Sequence, residues 1–150
     1  MLGSMSAPQA APKENRQPEL LFYDGHCALC HGAVKFVLRR DRSGTTFRFA
    51  PLEGATFMAR VPENARKNLP DSIVVLTNDG ALLVRSDAFI RILERLGGRW
   101  RTAAALLRTI PRPLRDAVYD FIARVRYRVF GTRADVCPVV APALRSRFDP

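Results

Sequence analysis

The sequence has few cysteines and no long apolar run, and both shortages limit what the protein can be. Only 3 cysteines occur in 150 residues, too few for the disulfide framework of small secreted domains. No apolar run approaches the roughly 20 residues that cross a bilayer as a helix. The first 19 residues are rich in proline, alanine and glutamine and lack the apolar stretch of an export signal. We therefore expect a cytoplasmic protein whose cysteines serve redox chemistry or metal binding.

Lysine and acidic residues are also scarce, so the chain is strongly basic through arginine. The 24 basic residues include only 3 lysines, and with 14 acidic residues they leave a net charge of +10. Residues 91–150 hold most of this charge, with 13 arginines against 5 acidic residues. They show neither the aromatic-plus-basic pattern nor the helix-turn-helix pattern of nucleic-acid binding, so no specific nucleic-acid partner is expected. We interpret this region as a solvated arginine-rich face, with weak contact to anionic surfaces as the alternative.

The apolar patterns predict one α/β domain over residues 20–150, after a disordered segment over residues 1–19. Residues 1–4 have the composition of a cloning remnant, or tag scar, ahead of a start at Met5. Short apolar runs predict four strands, and Asn78-Asp79-Gly80 predicts a hairpin turn between the last two. The strands are expected at residues 20–23, 46–50, 72–76 and 81–84.

Helical periodicity fills the gaps between these strands. It extends from Cys27 to about residue 41, and it is weak over residues 53–67, with a break near Pro62. It is strong before Gly97-Gly98, where Ser86 or Asp87 is the expected N-cap. The resulting order, β-α-β-α-β-β-α, joins a parallel crossover to a hairpin, as in the thioredoxin-like fold.

Two further helices, at residues 100–110 and 113–130, form a C-terminal helical extension. The second helix carries an apolar stripe, which predicts that it packs on the core with its arginines outside. A basic amphipathic helix on a membrane surface is the less favoured alternative. The stripe consists of Leu114, Val118, Phe121, Ile122, Val125 and Val129, and Arg115, Arg126 and Arg128 lie largely off it.

Cys27 and Cys30 stand three residues apart where the first strand gives way to the first helix. Backbone N–H groups in the first turn of a helix lack partners and favour a thiolate over a thiol. Cysteines so placed have pKa values of roughly 3.5–7.5, against about 8.5 when free. We predict that Cys27, at the N-cap or first turn, is an exposed attacking thiol. Cys30, one turn later, is the sheltered resolving thiol.

Three polar neighbours bear on this pair. Asp24 is either a turn residue before Gly25 or the proton acceptor for the resolving thiol. His26 and His31 are expected to be solvated side chains, and if protonated they would favour the thiolate as modulators of the pair.

Two other chemistries fit the same residues less well. The string from Cys27 to His31 matches the C-x-x-C-H haem attachment motif, but that motif needs an export route. Zinc needs about four ligands, and the sequence offers no second C-x-x-C, so a site would have to add His26 or His31 and the remote Cys137. We expect Cys137 to be a buried inert thiol, with a second resolving thiol as the alternative.

Several blocks of the sequence resemble the bacterial thiol-disulfide oxidoreductase family called DCC, which is named for an Asp and two Cys. The resemblance covers roughly residues 20–148. The matching blocks are Tyr23-Asp24-Gly25, Cys27, Cys30, Gly32-Ala33, Arg39-Arg40-Asp41, Phe47-Arg48-Phe49-Ala50-Pro51-Leu52, Pro70-Asp71-Ser72, Arg85-Ser86-Asp87-Ala88, Pro111-Arg112-Pro113-Leu114-Arg115-Asp116 and Arg126-Tyr127-Arg128-Val129-Phe130-Gly131.

The resemblance implies a thioredoxin-like fold and a redox role for Cys27 and Cys30, acting on a protein or small-molecule disulfide or thiol. Better-known thioredoxins carry a cis-proline just before the third strand, opposite the cysteines. Here the nearest candidate is Pro70, with Asp71 and Ser72 intervening, and a carboxylate at that place would alter the redox potential. We expect no cofactor and no metal for this chemistry.

Overall fold

The computed structural model describes residues 17–70, 72–132 and 142–150, and its centre is a mixed four-stranded sheet. The strands lie in the order β2-β1-β3-β4, with β1 parallel to β2 and β3 antiparallel to both of its neighbours. This topology confirms the predicted thioredoxin-like α/β fold. The strands are β1 (Glu19–Tyr23), β2 (Phe47–Pro51), β3 (Val74–Leu76) and β4 (Leu82–Val84).

The helices of the described residues follow the predicted order. The weak pattern over residues 53–67 forms two short helices broken at Val61 and Pro62, as predicted. The helices are α1 (Ala28–Arg40), α2 (Ala55–Arg60), α3 (Glu63–Arg66), α4 (Arg85–Leu96), α5 (Gly98–Arg108) and α6 (Arg112–Phe130), and a 3-10 helix spans Pro142–Arg147.

The sheet separates two apolar layers. On one face, Leu21, Tyr23 and Phe49 pack with α1 and α4, and this cluster includes both Cys27 and Cys30. On the other face, strand residues pack against α2 and the loop that follows it. All five residues of β1 are buried, because the strand lies inside the sheet and is covered on both sides.

Several predicted boundaries are shifted: β3 begins at Val74 rather than at residue 72, and two other differences change the contacts of the residues concerned. Glu19, which we assigned to the disordered segment, belongs to β1, where its buried carboxylate binds Arg91 at 2.5 Å. Helix α4 begins at Arg85 directly after β4, with Val84 at the N-cap and no side-chain cap, so neither Ser86 nor Asp87 caps it. Both residues instead bind α6, because α6 lies across the first turn of α4.

The packing predicted for α6 is also wrong. Five residues of its apolar stripe are 43–67 % exposed: Leu114, Val118, Phe121, Ile122 and Val129. The helix instead turns a mixed face inward, on which Arg126 is only 3 % exposed and the hydroxyl of Tyr119 accepts the backbone N–H of Ile73 at 3.1 Å. The helix packs in the orientation opposite to the predicted one because polar groups elsewhere in the fold bind the arginines and acidic residues of α6. The stripe is therefore left on the surface.

Candidate active site

Cys27 lies at the start of α1, close to the end of β1. Its backbone is extended, and its Sγ accepts the backbone N–H of Cys30 at 3.4 Å. The backbone N–H of Cys27 donates to the carbonyl of Asp24 at 3.3 Å, which closes the turn between strand and helix. Cys27 is therefore the N-cap of the first helix, one of the two positions that the sequence predicts for it. Both cysteines are free thiols.

The exposure predicted for Cys27 is wrong, since its side chain is 0 % exposed and that of Cys30 is 5 % exposed. The residues that follow α6 contact this part of the chain. Thr132 pairs with Cys27 as an isolated antiparallel bridge, and the carbonyl of Gly131 accepts the N–H of Ala28 at 3.4 Å. A pattern at residues 27–30 cannot reveal a contact with residues a hundred positions later.

Cys30 lies in surroundings that disfavour its thiolate. Burial and the charge of neighbouring Cys27 raise the pKa of the Cys30 thiol to about 12. The positive charge of Arg126 acts in the opposite direction. Cys30 is thus a sheltered thiol, as predicted, and it needs help to lose its proton.

Asp24 is held by three donors at the end of β1. Its Oδ1 accepts the backbone N–H of His26 at 2.9 Å, as in the turn that the sequence predicts. Its Oδ2 accepts the Arg126 guanidinium at 3.2 Å and the hydroxyl of Tyr127. These hydrogen bonds fix both oxygens of the carboxylate at the end of β1. The predicted role of proton acceptor stays a prediction.

Arg126 and Tyr127 are site residues that the sequence reasoning missed. The guanidinium of Arg126 lies 4.8 Å from the centre of the Tyr127 ring and donates to its hydroxyl at 3.2 Å. The block around them contributed to the family resemblance, and that block was the one available signal. The apolar stripe of the helix instead placed Arg126 on the solvent side.

The two histidines next to the pair differ. His26 is exposed, as expected. His31 is 2 % exposed, and its Nε2 lies 2.6 Å from the carbonyl of Gly25, so the solvated side chain predicted for it is wrong. It is buried because it lies on the inner side of α1, with its ring edge-on to that of Tyr23.

The described residues contain no set of side chains that could hold a zinc ion. Within residues 17–70, 72–132 and 142–150, no group of three or more His, Cys, Asp or Glu side chains is arranged to hold a metal ion. Cys137, the remote ligand that the zinc alternative requires, lies outside the described residues. Its predicted burial and its possible resolving role stay predictions.

The segment before β3 is only partly described. Ser72 is buried, and its hydroxyl donates to the carbonyl of Ile73 at 3.0 Å and accepts the N–H of Arg85 at 3.2 Å. Ile73, rather than Pro70, directly precedes β3 and packs against the cluster that contains the cysteines. No peptide bond among the described residues is cis. Asp71 lies outside those residues.

A cavity of about 270 Å³ opens beside Asp24. It lies where the parallel strands β1 and β2 end. The loop between β1 and α1 lines it, together with Leu52 and Tyr127. Crevices at the carboxyl ends of parallel strands are common binding sites in α/β proteins.

The match to known proteins includes this whole site. A family model described as DCC1-like thiol-disulfide oxidoreductase matches residues 21–132. The chain belongs to this family. It is 34 % identical over 131 residues to the uncharacterized protein YuxK of Bacillus subtilis (strain 168), covering 87 % of this chain and 93 % of YuxK. It is 33 % identical over 125 residues to a chloroplastic DCC family protein of Arabidopsis thaliana, covering 83 % of this chain and 71 % of that protein. No solved structure matches it.

The range that the family model matches contains two of the three cysteines of this DCC1-like protein. Residues 21–132 include Cys27, Cys30 and both ends of the contact between Asp24 and Arg126, whereas Cys137 lies outside. No helix among the described residues is long and apolar enough to cross a membrane.

Proposed function

We propose that this protein exchanges thiols and disulfides through Cys27 and Cys30. The observation that carries the proposal is the contact between the Cys27 sulfur and the N–H of Cys30 at a helix N-terminus. That contact places a backbone N–H donor on the Cys27 sulfur and keeps the second thiol one turn away. The match to thiol-disulfide oxidoreductases supports the same chemistry.

The reaction begins at Cys27. Its thiolate attacks one sulfur of a substrate disulfide, the other sulfur leaves as a thiolate, and a mixed disulfide forms. Cys30 then loses its proton and attacks the sulfur of Cys27, which releases the second substrate thiolate. Two electrons pass to the substrate, the two departing thiolates take up protons, and the pair remains as a disulfide. A dithiol reductant in the cytoplasm restores it.

Access to Cys27 requires a movement. Cys27 is fully buried, and Gly131 and Thr132 contact the backbone at the start of α1, so we propose that these residues separate from it before a substrate disulfide reaches the sulfur. The contacts to break are a backbone pairing and one hydrogen bond of 3.4 Å. Local opening of such a chain segment costs far less than global unfolding. The substrate is a protein or small-molecule disulfide, and weak contact with anionic surfaces through the basic C-terminal region accompanies it.

A redox titration tests the proposal directly. The protein is equilibrated with a series of glutathione buffers and alkylated, and its mass is measured by mass spectrometry. A Cys137→Ser background ensures that only Cys27 and Cys30 contribute to the change in mass. We expect one two-electron transition, confined to Cys27 and Cys30. In the same background, Cys30→Ser should accumulate a mixed disulfide on Cys27, and Cys27→Ser should lose disulfide-reducing activity. Full activity in Cys27→Ser, or a pair that no buffer oxidises, would overturn the proposal.

A further inference from the structure

We propose that α6 binds the surface of a lipid bilayer that carries anionic headgroups. Its apolar stripe enters the acyl region, while Arg124 and Arg128 remain at the headgroups. In the sequence this alternative ranks below packing on the core, and the outward orientation of the stripe reverses that order. The inference goes beyond the thiol–disulfide exchange and does not rest on it. It gives the weak anionic contact of the C-terminal region a defined surface and one occupant.

The stripe of α6 faces outward while the helix itself is held to the rest of the fold. The hydroxyl of Ser86 donates to the carboxylate of Asp116 at 2.5 Å, and the hydroxyl of Tyr119 accepts the backbone N–H of Ile73 at 3.1 Å. These contacts lie on the inner face of the helix, opposite the stripe. The helix therefore presents its apolar side chains without being released from the fold.

The apolar surface extends beyond α6 onto the helices beside it. A groove of about 370 Å³ lies between α4, α5 and α6. Its apolar lining includes Phe89, Leu107, Ile110, Leu114, Val118 and Ile122. Since Leu114, Val118 and Ile122 also belong to the stripe, the groove and the stripe form one continuous surface. Apolar patches larger than a few hundred Å² mark sites of contact with proteins or membranes.

The charged side chains beside the stripe are positive. Arg124 follows Phe121 by three residues and Arg128 follows Arg124 by four, so both exposed arginines lie along one edge of the stripe. Among the described residues, neither arginine has an ion-pair partner. The acidic residues of α6, Asp116 and Asp120, bind residues of α4 instead. The outer face of α6 therefore combines apolar groups with positive charge.

A bilayer with anionic lipids is the partner that matches both features. Its headgroups carry the negative charge that attracts arginine, and its acyl chains take up the apolar stripe. A second copy of this chain fits less well, because a symmetric contact through this face brings the arginines of both copies together with no acidic residue to balance them. A nucleic acid matches the arginines through its phosphates but leaves the aliphatic side chains in water.

Binding to vesicles tests the proposal. The purified chain is incubated under reducing conditions with vesicles of phosphatidylcholine alone, or with roughly one third phosphatidylserine, and bound and free protein are separated by centrifugation. We expect binding to the anionic vesicles to be at least about tenfold tighter than binding to the neutral ones. Raising the salt from about 0.1 M to about 1 M should weaken binding to the anionic vesicles, because the Debye length falls from roughly 10 Å to roughly 3 Å.

Two variants separate the apolar contribution from the charged one. Phe121→Gln removes an exposed ring of the stripe and should weaken binding to anionic vesicles about tenfold or more. Arg124→Gln combined with Arg128→Gln should weaken it about 25-fold at low salt, since each arginine near an anionic surface contributes about fivefold, and should remove most of the salt dependence. All three side chains are exposed, so both variants should keep the circular dichroism spectrum of the parent chain.

The matched controls change equivalent residues outside α6. Arg42→Gln combined with Arg60→Gln removes the same charge from exposed positions, and Met58→Gln removes an exposed apolar side chain. Met58 and Arg60 belong to α2, which packs on the face of the sheet opposite to α1 and α4, the helices that α6 contacts. These controls should change binding by no more than about twofold, because exposed charges farther than a Debye length from the surface are largely screened.

The outcomes are distinct. Absence of binding to anionic vesicles at about 0.1 M salt overturns the proposal, as does binding that the variants of α6 and the controls affect equally. A dimer in light scattering that Phe121→Gln dissociates would assign the stripe to a second copy instead. Salt-sensitive binding of an oligonucleotide, without binding of vesicles, would assign the arginines to nucleic acid. Vesicle binding requires no redox activity, so its failure and a failure of the proposed function are separate results.

Discussion

The guanidinium of Arg147 is bound to the carboxylate of Asp41 at 2.5 Å, although 106 positions separate the two residues. Both side chains are buried, and Arg147 also donates to the carbonyls of Asp41 at 3.2 Å and Phe47 at 3.0 Å. Asp41 in turn accepts the backbone N–H of Phe47. This network fastens the C-terminal 3-10 helix to the end of α1 and to the first residue of β2.

Breaking this pair should be costly. We expect Asp41→Asn to lower the free energy of unfolding by about 3–5 kcal/mol, because it leaves the charge of Arg147 buried without its partner. Urea unfolding followed by circular dichroism measures the loss. Glu63→Gln is the matched control, since Glu63 pairs with Lys67 on the surface and exposed pairs contribute little. Equal effects of the two substitutions would contradict this account.

The contribution of Asp41 should also depend on pH in one direction. Burial alone would raise the pKa of Asp41, but hydrogen bonds from Ser43 and Thr46 and the charge of Arg147 lower it overall. A carboxyl group with a lowered pKa stabilises the fold fully above its unfolded pKa, near 4, and loses this contribution as the pH falls through the folded value. The stability gap between wild type and Asp41→Asn should therefore shrink below about pH 4. A gap of constant size at neutral and acid pH would contradict the prediction.

The exposed stripe of α6 gives a second test of stability. Phe121 is 64 % exposed, whereas Phe47 is fully buried in the sheet. Phe121→Ala should change the free energy of unfolding by no more than about 0.5 kcal/mol, because the side chain is already in water. Phe47→Ala should cost about 3–5 kcal/mol, because it leaves a cavity in the core. A large loss in Phe121→Ala would show that the stripe is covered in the folded chain.

Local patterns were sufficient for the order of the elements. The apolar run at Leu20–Tyr23, the turn at Asn78-Asp79-Gly80 and the change to helical spacing after Cys27 each report the backbone within a few residues. Periodicity carries such information because strands and helices repeat every two and every 3.6 residues. Helix N-caps were less certain, as α4 shows, because a strand can enter a helix without a capping side chain.

The contacts that complete the candidate site could not be read in the same way. Arg126 and Asp24 meet across 102 positions, and the hydrophobic stripe of α6 predicted the opposite orientation of the helix. Which face of a helix packs inward depends on the partners that the rest of the fold offers, here Asp24 for Arg126 and Ser86 for Asp116. The pairing of Thr132 with Cys27 depends on the same docking and was missed for the same reason.

The turn after α6 should control access to Cys27. Gly131 has φ +80° and ψ −178°, a backbone conformation that is essentially restricted to glycine, and its carbonyl binds the start of α1. We expect Gly131→Ala to cost about 1–3 kcal/mol and to speed alkylation of Cys27, because strain there loosens the residues that bury the sulfur. Gly32→Ala is the matched control, since an added methyl group on α1 meets no atom within 4 Å and should stabilise the helix by roughly 0.5–1 kcal/mol. Unchanged alkylation of a destabilised Gly131→Ala protein would mean that Cys27 becomes accessible by another route.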